Sequence, residues 1–170
     1  MTTTARIYSL NFNEAKTYLW AALFIVCNMA LPHLVHLIPQ GGIIFAPLSF
    51  VILAGSCKFG WKTGLMAAVA SPVVNHLVFG VPAWGMVQFM VLKLAIIALV
   101  AGLALQHFQR CNILWLAGIV LTSELLGGVG EWLLTGNVAG TIADFTIGWP
   151  GILLQVVGTY AVLHFFDRKA

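Results

Sequence analysis

The chain has 170 residues, of which 61% are apolar and 8% charged, whereas a soluble domain runs about 45–50% apolar and about 25% charged. That balance excludes a water-soluble globular protein and an intrinsically disordered one. The formal charge of +3 is too small and too scattered to suggest a nucleic-acid partner.

A hydrocarbon layer about 30 Å thick takes roughly 20 apolar residues per crossing helix. The length therefore predicts an all-α membrane protein: a single six-helix transmembrane domain over residues 1–170, with no appended soluble domain. Met1–Lys16 is polar and mixed in charge. The first apolar run is longer than a secretory signal core and reaches Pro32 without an A-x-A-like site, so it reads as a retained first helix. Cys27, Cys57 and Cys111 form no C-x-x-C pair and no metal-finger spacing, which makes them inert thiols.

In chain order the predicted spans are 17–37, 45–57, 62–79, 83–105, 113–134 and 143–166. Gly, Pro and charge punctuate them at Pro39-Gln-Gly-Gly42, Lys58 to Trp61, Gly80-Val-Pro82, Gln106 to Asn112 and from Thr135 onward. Basic residues set the direction. Arg6, Lys16, Lys58, Lys62, Arg110, Arg168 and Lys169 all fall on one side, which predicts a compact bundle in the cell (inner) membrane with both termini cytoplasmic.

Lys93 stands apart. It lies about ten residues into the fourth span, or roughly 15 Å at 1.5 Å per residue, and Glu124 reaches a similar depth from the opposite side. A charge there costs at least about 2.5–3.5 kcal/mol and needs a partner or a wet cavity. The two residues read equally well as a structural ion pair or as substrate contacts. Glu124, Gly127, Gly128 and Glu131 fall at i, i+3, i+4 and i+7, so they share one face of the fifth span. Asp144, Gly148, Gly151 and Gln155 do the same on the sixth. Gly64, Ala68, Ser71 and Asn75 form a stripe on the third, with His76 beside it.

His33, His36, Asn75, His76, Trp84, Gln88, Glu131, Asp144 and Trp149 gather in the outer part of the membrane, while His107 and His164 lie at the cytoplasmic ends. One-sided clustering of polar groups with aromatic walls from Trp84, Trp132 and Trp149 predicts a binding site open to the outside. For any one Trp an interfacial belt is the better explanation, for any one His a packing role is, and for any one Gly close helix packing serves equally; the convergence of several carries the site.

Leu31-Pro-His-Leu-Val-His-Leu-Ile-Pro-Gln-Gly-Gly42, Pro47 with Leu53-Ala-Gly55, Phe59-Gly-Trp-Lys-Thr-Gly64, Ser71-Pro72 and Gly80-Val-Pro82 form an ordered series over about residues 17–105. The series resembles the substrate-binding S components of energy-coupling factor (ECF) transporters. The resemblance implies a six-helix subunit that captures a vitamin or related micronutrient outside the cell. It also implies partners, a transmembrane coupling subunit and two cytoplasmic ATPases, with no cofactor of its own; no G-x-x-x-x-G-K-S/T loop occurs. Gly60, Gly64 and Ala68 would form the small-residue surface that docks the coupling subunit. The chain departs from its relatives in having Lys93 where many carry Glu, Val81 where many carry Met, and no Ala-x-x-x-Ala on the first helix.

Three other functions are weighed, one of them a purely structural partner subunit, which would explain the topology but not the outer polar cluster. His33 and His36 at i, i+3 suit two ligands of a nickel or cobalt ion, but Thr2 stands where metal-ion S components carry His. Ser71 and His76 would be the pair of an intramembrane hydrolase, but a five-residue separation rotates them about 140° apart on a helix and no G-x-S-x-G or H-E-x-x-H is present.

Overall fold

The computed structural model describes residues 10–35, 41–108, 112–136 and 138–168. Among them the backbone is helical throughout apart from short connections, and no strand occurs.

A turn at Asn11–Glu14, in which Glu14 Oε1 accepts from the Asn11 N–H at 3.0 Å, leads into α1 (Ala15–Val35). α1 continues through Pro32. A five-residue helix, α2 (Gly41–Phe45), precedes α3 (Pro47–Phe59). The two are separated by Ala46, which adopts a left-handed φ of 41°, a conformation costly for a residue with a Cβ. Pro47 then opens α3, a position where its missing N–H costs nothing.

Gly60 alone joins α3 to α4 (Trp61–Phe79), at φ 93°. α5 (Trp84–Phe108) follows the Gly80–Ala83 turn. Asn112 caps α6 (Ile113–Thr135) by accepting from the Leu114 N–H at 2.6 Å, and Gly136 ends it at φ 67°. The sixth predicted span is two helices, α7 (Ala139–Thr146) and α8 (Trp149–Arg168), broken at Ile147-Gly148. Asp144 and Gln155 therefore do not lie on one continuous helical face. The break follows from Gly148 with Pro150 just behind it: Pro150 has no N–H for a helix running on from α7 and is tolerated where it stands, in the first turn of α8.

Among the described residues three helices are long and apolar enough to cross a bilayer: Ala15–Pro32 of α1, α5 and α6. Segments Pro47–Phe59 and Trp149–Phe165 are apolar but shorter. In α4, 19 residues long, Lys62, Asn75 and His76 dilute the apolar run.

α5 packs against α3, α4 and α6; α1 lies on α3 and α4; α8 lies on α3 and α6. The core at these crossings includes Ile52, Leu53, Ala67, Ile97, Leu105 and Leu116. Close approach is paid for in small residues. A Cβ on Gly102 would collide with the Trp61 backbone, and one on Gly64 with the Ser56 side chain. Meanwhile Leu19, Val26, Leu77, Leu114, Leu133 and Val157 are exposed. Large apolar side chains pointing outward from apolar helices, with backbone groups satisfied inside each helix, are what a lipid environment selects. The molecule has the character of a helical membrane protein.

Gly60, Gly64 and Ala68 are turned inward. Gly60 is buried, Gly64 takes the Ser56 side chain, and Ala68 is fully buried in the core. Their small size serves packing within the chain, so the predicted docking stripe offers no outer surface.

Candidate functional site

The starts of α3 and α5 and the end of α6 frame a pocket of about 310 Å³. Pro47 and Ser49 contribute from α3, Phe89, Met90 and Lys93 from α5, and Glu131 from α6. Along α5 the lining residues Met86, Phe89, Met90 and Lys93 repeat at i, i+3, i+4 and i+7, so one face of the helix forms the wall. The strained Ala46 also borders the space.

Lys93 does not stand alone at this wall. Its Nζ lies 2.9 Å from Glu124 Oε2, with side-chain exposures of 20% and 4%. The other carboxylate oxygen, Oε1, accepts from Gln155 Nε2 at 3.2 Å, which ties α5, α6 and α8 together. The path of the Lys93 stem is set by Gly127: a Cβ there would sit 2.9 Å from Lys93 Cγ. Removing that one methyl group lets the aliphatic stem lie across α6 and bring its ammonium to Glu124. Gln155 Oε1 and, one turn on, Thr159 Oγ1 are buried without a partner among the described residues.

Glu124, Gly127, Gly128 and Glu131 do occupy one inward face of α6. The first three are buried and Glu131 is half-buried at the pocket. Seven residues separate the two carboxylates, or about 10 Å along the axis. Thus Lys93 and Glu131 meet at the pocket, and Glu124 sits deeper, behind Lys93.

The remaining predicted residues are placed otherwise. Asn75 is buried between α1 and α4, where its Nδ2 donates to the Asn28 and Ser71 carbonyl oxygens at 3.0 Å each. His76 Nδ1 lies 2.8 Å from the Pro82 carbonyl oxygen, so that nitrogen carries the proton and donates. The His76 ring lies 5.0 Å from that of Trp84. Trp84, Trp132, Trp149 and Gln88 are exposed, outside the pocket wall, as a belt at the membrane surface requires. The side chains of His33 and Asp144, and all of His36, lie outside the described residues, as do Arg6, Arg110 and Cys111.

Ser71 accepts from Asn28 Nδ2 at 3.0 Å and is fully buried. It and His76 are thus committed to different partners, and the geometry forms no Ser–His pair. Among the described residues no group of three His, Cys, Asp or Glu side chains converges as for a metal ion.

Sequence reasoning missed Met86, Phe89 and Met90 because it weighed polar and indole side chains only. The signal was there: counting back from Lys93 by helical spacing gives those three positions, and it puts Trp84 and Gln88 on a different face. Asn28 was missed for a different reason. A single amide in a long apolar helix carries no spacing pattern.

No protein-family model, curated protein or solved structure matches the chain.

Proposed function

We propose that this chain is the substrate-capturing membrane subunit, of S-component type, of an ECF transporter. In this reading α1, the α2–α3 pair, α4, α5, α6 and α8 each cross the inner membrane, with both termini in the cytoplasm. A vitamin-like micronutrient enters from outside, and a transmembrane coupling subunit with two cytoplasmic ATPases drives its import.

The pocket carries the reading. It has the size of a small-molecule site, apolar walls and few convergent polar groups. It also lies at the end of the bundle opposite Lys16, Lys58 and Lys62, which stand at the start of α1 and around the α3–α4 corner. Basic residues favour the cytoplasmic side, so the pocket would face outward.

The test is purification in mild detergent without ATP, followed by mass spectrometry of the small molecules released on denaturation. One compound is expected near one per chain. Glu131→Gln should lower its retention by about 10-fold or more, the worth of a charged hydrogen bond, whereas His107→Ala at the opposite end should leave it unchanged. Equal losses in both variants would refute the placement of the site.

A further inference from the structure

The charges at the pocket point to the kind of molecule it holds. Lys93 is the obvious anchor for an anion, but its ammonium is already on Glu124 Oε2 at 2.9 Å, and Gln155 takes Oε1. An incoming anion would have to compete with a carboxylate that is 4% exposed and held by its own hydrogen bond. The pair is neutral as a unit. Glu131 is different: among the described residues its carboxylate takes neither an ion pair nor a hydrogen bond, and only its backbone oxygen is engaged, by Thr135 Oγ1. The charges described at the site thus sum to one negative, contributed at the wall by Glu131.

The surroundings fit a cation. Met90 and Phe89 border the same space; an aromatic face attracts positive charge, and thioethers are soft, polarisable walls. In a low-dielectric setting an uncompensated charge seeks a partner of opposite sign.

We infer that the pocket binds a small organic cation, a protonated amine or a quaternary ammonium group on an apolar body, with Glu131 as its counter-ion. The Lys93–Glu124–Gln155 cluster is the neutral floor beneath it. This inference rests on reading the pocket as the ligand site, as proposed above.

Thiol-directed reagents test it without knowledge of the ligand. In a Cys27→Ala/Cys111→Ala background, which retains the buried Cys57, Met90→Cys puts a thiol in the pocket wall. Its modification rate is measured with a trimethylammonium-ethyl and a sulfonatoethyl methanethiosulfonate, and each is divided by the rate toward free 2-mercaptoethanol. The cationic reagent is expected to be favoured about tenfold, and Glu131→Gln is expected to bring the ratio close to one. The same series at Ser49→Cys, also in the wall, covers a Met90 variant that does not fold.

Preference for the anionic reagent, or a ratio indifferent to Glu131→Gln, would overturn the charge assignment and leave the pocket standing. So would an anion as the copurified molecule. If neither reagent nor neutral methyl methanethiosulfonate reaches either position, the pocket is sealed, and the transport reading falls with the inference.

Discussion

Between α1 and α4 the buried polar groups are all neutral: Asn28, Ser71 and Asn75 bond to one another and to backbone oxygens at 3.0 Å. Between α5, α6 and α8 they are charged, with Lys93 and Glu124 at 2.9 Å and Gln155 completing the carboxylate. The neutral cluster is sealed within a helix crossing, and Pro72 and Ala67 beside it are buried. The charged cluster borders a cavity, and Lys93 keeps 20% of its side chain exposed. Asn28 Oδ1 has no partner among the described residues, yet uncharged amides and hydroxyls cost far less to bury than ions, so they serve as fasteners. An ion pair carries a larger desolvation cost, and this one stands beside a pocket, with Lys93 in its wall.

The largest expected effect separates the two clusters directly. Glu124→Ala leaves the Lys93 ammonium unpaired and should destabilise the protein by about 3–5 kcal/mol, read from reversible unfolding in mixed micelles. Adding Lys93→Met and Gln155→Met to a Glu124→Leu variant, so that no buried amide is orphaned, should return stability to within about 1 kcal/mol of the parent, because a well-packed apolar cluster is an adequate substitute. A triple variant as unstable as Glu124→Leu alone would mean that the cluster fastens the helices by its charge.

Gly127→Ala is expected to cost about 1–3 kcal/mol through overpacking, since the new methyl must displace the Lys93 stem. The variant should also free the Lys93 ammonium from Glu124, so its cost should shrink when Lys93 is shortened to Ala. In the neutral cluster, Ser71→Ala removes the acceptor of Asn28 Nδ2 and should cost about 1–2 kcal/mol, with no change in ligand retention. A loss of retention there would erase the contrast between fastener and site. The smallest effect belongs to Gln155→Met. It takes the 3.2 Å bond from the buried Glu124 Oε1 but also removes Gln155 Oε1, which has no partner among the described residues, so the net cost should be about 1 kcal/mol.

The elements that sequence reading placed well are those with strong terminators. α5 and α6 begin and end within a few residues of expectation, because Pro82, Asn112 and Gly136 are unambiguous stops and starts. The break at Ile147-Gly148 was legible in the same residues, yet the apolar character of the flanking segments outweighed it. Glu131 and Lys93 were singled out by charge alone, since a charge in an apolar helix is conspicuous whatever the fold. Trp84, Gln88 and Trp149 were assigned to the pocket on depth, and depth does not say which way a side chain faces.

That distinction defines what each level decides. Composition and the spacing of charges determined by themselves that the chain is built of apolar helices with costly polar groups within. These are sums along the chain and need no partner. Facing is another matter: a helix that is apolar on every side has no hydrophobic stripe to turn inward. Only in the tertiary structure do local volumes settle it, at Gly102 against Trp61, at Gly64 against Ser56, and at Gly127, whose missing side chain directs Lys93 to Glu124 and leaves Glu131 at the pocket.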